Sequence, residues 1–522
     1  MNHSTLPTLI RSLQNPELYP HPIVRFSLIE THISWVLLTG SYAYKIKKPL
    51  NLGFLDFSTL EKRRHFCQEE LRLNGRLAPD IYLEVVAIGG GEERPQLNSE
   101  GPAIEYAVKM RQFEPDQTFD RLLQRQQLTT DVIIKTAQII ASFHEHITKA
   151  PKKSEFGSPT AVMRPVRENF AQIRQQSAIT MTAELEQLAD WSEREYARNL
   201  ELFDQRKHNG FIRECHGDLH LGNIAFIDGR IVPFDGIEFN PSLYWIDVIS
   251  EVAFLVMDLT DKQRPDLAYR FLNEYLQHGG DYAGLKLLPF YLTYRAMVRA
   301  KVSAIRASQV STTEPRQKAV SDYRDYLQLA RHYTETKKPL MLIMHGVSGS
   351  GKSWLSNRII DHFPVIRIRS DVERKRLFGL TAQQTSQATI DGGIYSAQAS
   401  ALTYHRLLEL AAETLSAGYN VIVDATFLQK QQRKPFFQLA QQAAVPFRIV
   451  HTIADRQTLL RQIEERAKLQ DNVSDADPRV LQHQLQTRQP LDVDEQRHAI
   501  EIDTAQNAHL TKLWNILDEY KH

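Results

Sequence analysis

H-G-D-L-H-L-G-N, residues 216–223, followed by Asp235 in I-V-P-F-D-G, is the stretch from which the first half of the chain is read. H-x-D-x-x-x-x-N with a later Asp behind a short apolar strand is the spacing of a phosphoryl-transfer loop. The chemistry accounts for the spacing. One carboxylate must accept or orient a hydroxyl proton, and Asp218 stands in that place. An amide oxygen and a second carboxylate must hold Mg²⁺ against the phosphates of ATP, and Asn223 and Asp235 stand there. Apolar runs at 224–227 and 231–234 flank these metal ligands as strands. A plain polar turn also favours His, Gly, Asp and Asn, but it does not ask for five of them in this register.

The H-G-D-x-H-x-G-N form, with His220 where protein kinases usually carry Lys, resembles the aminoglycoside phosphotransferase and choline kinase branch of the kinase-like fold. The resemblance spans roughly residues 30–330, although its specific motifs occupy only a few of those. It implies a bilobal fold with an N-lobe over about 30–113 and a C-lobe over about 114–335. Residues 35–39 and 42–47 read as two strands joined at Gly40-Ser41. The second, Y-A-Y-K, has the pattern of the kinase V-A-I-K strand. Period-2 alternation puts Ala43 and Lys45 on one face, a small residue for adenine and an ammonium for phosphate. Lys47 shares that face and is the rival for the cofactor role.

Residues 58–77 then read as a helix opened by a Ser58/Glu61 capping box. The kinase fold needs a helical Glu here to pair with the strand Lys; Glu70 is the choice and Glu69 the alternative. Strands at 82–88 and 104–110, parted by a turn at 89–102, complete an expected five-stranded N-lobe, with 110–113 as the hinge. The helical region at about 167–207 corresponds to the insertions that shape the acceptor site in the family. The apolar run 246–259 reads as a buried helix, and Asp247 near its start matches a family Asp that braces the catalytic loop.

The second half carries a phosphate site of its own. After an apolar strand at 340–344 comes G-V-S-G-S-G-K-S, residues 346–353, and then a helix, which is G-x-x-x-x-G-K-S in its required context. Gly346, Gly349, Ser350 and Gly351 let backbone N–H groups curl around phosphate. Lys352 reaches the β/γ oxygens, and Ser353 offers its hydroxyl to Mg²⁺. The strand 420–424 ends in Asp424, placed as a Walker-B carboxylate beside the metal. The remainder resembles small P-loop kinases, among them polynucleotide kinases and zeta-toxin-like kinases. By that resemblance Asp371, after the strand 365–368, activates the acceptor hydroxyl and Arg374 binds the acceptor. The Arg-rich helix 455–468 supplies Arg461 and Arg466 as lid arginines against phosphate. Ser370 has the chemistry of an N-cap for the helix carrying Asp371. A strand at 498–503 and a helix at 505–520 close the domain.

The expected fold class is therefore α/β and α+β. A bilobal kinase-like domain over 1–335 precedes a P-loop domain over 336–522, whose parallel sheet is flanked by helices and bears a short lid. Lys and Arg number 63 against 62 Asp and Glu in 522 residues, so no global positive field favours nucleic acid or anionic membrane. The polynucleotide-kinase resemblance still admits nucleic acid as a partner of the C-terminal domain. Two cysteines, far apart in sequence, argue against a disulfide framework, and no signal peptide or spanning segment is evident, so the expected compartment is cytoplasmic. The expected activity is bifunctional ATP- and Mg²⁺-dependent phosphate transfer to hydroxyl acceptors, small molecules first. The rivals are a nucleic-acid end-processing kinase, and one active kinase fused to a nucleotide-sensing module.

Overall fold

Six strands of the first unit form one antiparallel sheet in the order β1-β2-β3-β6-β4-β5. They are β1 (Ser27–Glu30), β2 (Ser34–Leu38), β3 (Tyr42–Lys47), β4 (Tyr82–Gly91), β5 (Arg94–Leu97) and β6 (Glu105–Arg111). The computed structural model describes residues 6–53, 55–177, 183–310, 312–381, 384, 393–467, 478–504 and 506–521. The chain divides into two compact units. The first comprises Met1–Lys135, Phe143–Asp261 and Phe290–Tyr333, and the second Thr136–Ser142, Lys262–Pro289 and Thr334–His522.

The sheet exceeds the expected five strands by one. Both β1, in a stretch with weak signals, and β5, inside the expected turn at 89–102, are short edge strands whose sequences show little alternation. Alternation on β3 decides what faces what. Tyr44 and Ile46 join Leu37, Val86, Ile88 and Ala107 in one buried cluster, which leaves Ala43, Lys45 and Lys47 on the opposite face. That face receives the helix Leu60–Asn74. Its N-cap is Thr59, whose hydroxyl accepts the Lys62 N–H at 3.3 Å, and not Ser58. The Ser58 hydroxyl is occupied by Asp56.

The other lobe of the first unit is mainly helical, with two small antiparallel pairs. β7 (Ile212–Glu214) pairs with β10 (Trp245–Asp247), and β8 (Ile224–Ile227) with β9 (Arg230–Pro233). The helix Val248–Asp261 follows β10 and is buried from Val248 through Leu259.

In the second unit five parallel strands lie in the order β12-β13-β11-β14-β15. They are β11 (Met341–His345), β12 (Ile366–Arg369), β13 (Val421–Asp424), β14 (Phe447–Ile453) and β15 (Ala499–Asp503). Leu342, Met344, Val450, Ile500 and Ile502 pack against the helices Lys352–His362 and Asn507–Asp518. The helix Pro265–Gly279 belongs to this unit through its polar face. Asn273 donates to Val365 O at 2.9 Å and accepts from Arg367 N at 2.6 Å, so its amide completes the ladder along the edge strand β12. Arg270 adds bonds to the side chain and carbonyl of Asn357, each at 2.8 Å.

Buried backbone groups left without partners are costly, so Asn273→Ala should destabilise the second unit by about 2 kcal/mol. Urea unfolding read by a probe in this unit checks it. An unchanged midpoint would mean that water replaces the amide at no cost.

Candidate functional site

The catalytic-loop stretch folds as its spacing requires. Gly217 adopts φ +87°, and a Cβ there would lie 2.8 Å from Leu243 O, so only glycine fits. Asp218 and Asn223 come together, with Asn223 Nδ2 donating to Asp218 Oδ2 at 2.9 Å and to Asp218 O at 3.0 Å. That orientation leaves the Asn223 amide oxygen as a donor atom for a hard cation. His220 Nε2 lies 3.5 Å from Asp218 Oδ2. Burial opposes ionisation of Asp218, but His220 first, then His216 and Arg295, hold its carboxyl well below the usual range. Burial likewise opposes the His220 cation, and Asp218 overrides it and raises the His220 pKa.

Asp235 has φ +57°, a left-handed conformation that Asp tolerates better than most residues. Tyr82 Oη accepts its N–H at 2.9 Å. Asn74, at the end of the helix Leu60–Asn74, accepts the next N–H, that of Gly236, at 2.7 Å. These two contacts aim Asp235 at the strand lysines. Lys45 Nζ lies 2.6 Å from Asp235 Oδ1 and 2.7 Å from Glu70 Oε1. Lys47 Nζ lies 2.6 Å from Glu70 Oε2 and bonds also to Glu238.

Glu70 therefore bridges both lysines, while Glu69 pairs with Arg72 at 2.8 Å on the surface. Of the two lysines, Lys45 meets the carboxylate placed for metal and Lys47 is sealed behind it. Burial works against both ammonium groups, but Asp235 and Glu70 hold Lys45 charged, as Glu238 and Glu70 do Lys47. Burial and the neighbouring Glu70 push the Glu238 carboxyl up. Three carboxylates against two ammoniums leave a negative charge, and Asp235 is the half-exposed member of the set. Oxygen donors with a residual negative charge suit Mg²⁺.

Asp247 does not brace the catalytic loop as the family pattern implies. Its carboxylate takes Arg206 Nε at 2.6 Å and Nη2 at 2.8 Å. Glu251 performs the bracing instead. It accepts His216 N at 3.0 Å and Gly217 N at 2.6 Å, with His144 Nε2 at 3.0 Å. Asp258 accepts Leu221 N at 2.9 Å, and Arg295 donates to Gly217 O at 3.2 Å. Glu251 and Asp258 interrupt an otherwise apolar run two helical turns apart, and that signal was available in the sequence. His144, Cys215 and Glu251 form a buried group with metal-ligand chemistry, but both Glu251 oxygens already accept backbone N–H bonds.

Burial would raise the Glu251 pKa, yet His144, His216 and the Gly217 N–H bring it down from 4.5 to about 2. A depressed folded-state pKa gives stability that is complete above the unfolded value and is lost as pH falls through the folded one. Glu251→Gln should therefore weaken the first unit near neutrality and flatten its stability change between about pH 4.5 and pH 2. Acid titration of unfolding measures this, and a profile superimposing on wild type would remove Glu251 from the role.

In the second unit the P-loop forms a cradle that side chains would fill. A Cβ on Gly346 would lie 2.5 Å from Thr452 Oγ1, and one on Gly349 2.7 Å from Leu459 O. Lys352 Nζ donates to Val347 O at 2.7 Å. The Ser350 hydroxyl bonds to Val347 O at 2.8 Å and Thr452 Oγ1 at 2.7 Å, so it braces the loop from within. Ser348 N donates to Gln484 Oε1 at 2.7 Å, a partner from the helix Pro478–Thr487 with no sequence signal. Ser353 stands half-buried in the first turn of its helix. Asp424 ends β13 as expected, and its Oδ2 accepts the hydroxyl of Ser356, one turn beyond Ser353, at 2.9 Å.

Asp371 lies at the second position of the helix Ser370–Leu377, whose N-cap is Arg369 with no side-chain bond; Ser370 is not the cap. Burial pushes its carboxyl up, Arg369 partly offsets this, and Asp424 adds to it. Its helix follows directly on Arg369, which stands in register with Asp424 at the end of β13. Arg374 is buried and donates to Ile394 O at 2.8 Å and Ser400 Oγ at 3.3 Å, binding its helix to the next. Arg461 is exposed on the helix Arg456–Ala467. The side chain of Arg466 and the chain at 468–477 lie outside the described residues. Leu459 and Ile463 of that helix pack with Val347 of the P-loop.

The AAA domain family matches residues 341–491. Over 446 residues the chain is 30% identical to an uncharacterized protein of Mycobacterium tuberculosis, covering 84% of this chain and 87% of the relative. The chain belongs to the same family as that mycobacterial protein. A Mycobacterium bovis member, also uncharacterized, matches with the same identity and coverage. Among solved structures, a choline/ethanolamine kinase family protein from Mesorhizobium loti is 9% identical, covering 62% of this chain and 99% of its own, with TM-score 0.38. Plasmodium vivax ethanolamine kinase is 11% identical, covering 59% and 84%, with TM-score 0.37. Chaetomium thermophilum Kti12, solved with ADP-AlF3, is 11% identical, covering 34% and 98%, with TM-score 0.26. Among the described residues no helix is long and apolar enough to cross a membrane.

Proposed function

We propose that the chain is a bifunctional phosphotransferase, each unit moving the γ-phosphoryl group of ATP to a hydroxyl acceptor with Mg²⁺. One observation carries the reading: Lys45 Nζ held between Glu70 at 2.7 Å and Asp235 at 2.6 Å, in the unit that also joins Asp218 to Asn223. Asn223 and Asp235 would hold Mg²⁺, which neutralises phosphate charge when bound. Lys45 binds phosphate oxygens, with Glu70 fixing its ammonium. Asp218 orients the acceptor hydroxyl and takes its proton, held as a carboxylate by His220. In the second unit Lys352 and the P-loop N–H groups bind phosphate, and Ser353 and Asp424 complete the cation site. Asp371 acts as the base there, Arg374 binds the acceptor, and Arg461 and Arg466 screen phosphate charge. Catalysis of this kind is positioning and charge stabilisation.

Labelled ATP and a fractionated cell extract test the proposal. Wild type should label two sets of acceptors. Asp218→Ala should lose one set and Lys352→Ala the other, each keeping nucleotide binding at the unaltered unit. If either single substitution in a folded protein removed nucleotide binding from both units, the bifunctional reading would fail.

A further inference from the structure

In the second unit one residue of the helix Lys352–His362 departs from its pattern. Leu355, Ser356, Ile359 and Ile360 are buried, whereas Asn357, Arg358 and Asp361 are exposed. Trp354 shares the exposed side and leaves 41% of its surface in solvent. An aromatic ring stabilises a fold through the area it buries, and this one leaves much of that area unused.

Its position gives the ring another use. P-loop N–H groups cradle the α- and β-phosphates and the lysine reaches the β/γ oxygens, so the nucleoside leaves the cradle at its α-phosphate. The Val347 side of the loop is closed. Val347 packs with Leu459, Ile463 and Leu481, and a Cβ on Gly349 would lie 2.7 Å from Leu459 O and 3.2 Å from Ile463 Cγ1. The helix side carries Ser353, half-buried, and then Trp354. Side chains on a helix lean toward its N-terminus, so from the first turn the indole leans toward the cradle.

Arg358, one turn on, holds its guanidinium over the indole at 5.0 Å from the ring centre. A cation over one face holds the ring by attraction to its π electrons. A flat partner would take the opposite face. The flat group at the α-phosphate end of a nucleotide is its base, and every base has a π-face that stacks on an aromatic side chain.

We propose that Trp354 is the base platform of the P-loop site, stacking the adenine ring of ATP on the indole face away from Arg358. The assignment rests on the reading of the second unit as an ATP site. The role is binding alone. Adenine takes no part in the transfer, so its stacking acts alike on ground and transition states and sets nucleotide affinity while leaving turnover unchanged.

Titration calorimetry and tryptophan fluorescence on the full chain test this, with Mg²⁺-ADP and inorganic tripolyphosphate as probes, the second having no base. The share of binding that belongs to the second unit is the part that Lys352→Ala removes. Trp354→Ala should weaken ADP binding there about tenfold, with tripolyphosphate affinity and the melting profile unchanged. Trp354→Phe should retain most of the ADP affinity and abolish the quenching of indole emission that ADP causes at this unit. ADP affinity unmoved by Trp354→Ala, or ADP and tripolyphosphate weakened equally, would overturn the platform and leave the P-loop reading standing. Absence of any binding that depends on Lys352 would overturn both. ADP binding sensitive to Trp354→Ala, in a protein whose second unit labels no acceptor from ATP, would uphold the platform and defeat the transfer reading alone.

Discussion

Glu70→Ala should abolish phosphate transfer by the first unit and destabilise that unit by about 3–5 kcal/mol, the usual cost of breaking a buried ion pair from one side. The Glu70 side chain is fully buried and holds two ammonium groups, Lys45 at 2.7 Å and Lys47 at 2.6 Å. Without it two buried cations share Glu238 and Asp235, and Lys45 is drawn toward the carboxylate assigned to metal. Lys47→Met separates the two consequences. It removes the inner cation and leaves the Lys45–Glu70–Asp235 contacts, so it should cost stability and retain transfer. Urea unfolding and labelled-phosphate transfer measure both quantities. Near wild-type transfer by a folded Glu70→Ala protein would refute the assignment, and loss of transfer in Lys47→Met with nucleotide binding gone would reverse the roles of the two lysines.

Asp371→Asn should lower turnover at the second unit by ~10²–10⁴-fold with nucleotide affinity retained, the range of a general base. The carboxyl stands near the carboxyl end of β12, where ligands of parallel sheets bind. Its pKa is raised chiefly by burial, partly offset by Arg369, and raised further by Asp424. A raised pKa brings a base nearer to working pH. The competing account is a residue that merely complements the helix dipole at the second position of Ser370–Leu377, worth less than ~1 kcal/mol of stability and nothing in turnover. An Asp218→Ala background silences the first unit, so any remaining acceptor labelling reports on Asp371. Labelling undiminished by Asp371→Asn in that background decides for the dipole account.

The motifs assigned to phosphate were legible because the chemistry they are assigned constrains spacing along the chain. Asp218, Asn223 and the P-loop glycines occupy fixed offsets within short loops, and a loop of that length has few ways to bring them together. Residues that hold those loops in place carry no such offset. Asn74, Tyr82, Glu238 and Glu251 each reach a catalytic-loop or metal-loop backbone group or a lysine from a different element, and nothing in local periodicity sets their partners. The two capping expectations, at Ser58 and Ser370, failed by one residue for a local reason. Ser58 finds Asp56, and the chain leaves β12 directly into its helix.

Residue order alone was enough for the kinase-like and P-loop fold classes, the two phosphate motifs and the face of β3 on which Lys45 and Lys47 lie, since each depends on offsets of a few residues. Packing made the remaining choices. It put Glu70 between both lysines, set Lys45 outermost against Asp235, and gave Asp247 to Arg206 and the catalytic loop to Glu251. It also laid Asn273 along β12, drawing the helix Pro265–Gly279 into the second unit. The reason is common to all of these. A buried charge or backbone group must find a partner wherever the fold brings one within about 3 Å, and which partner arrives depends on elements far apart in the chain.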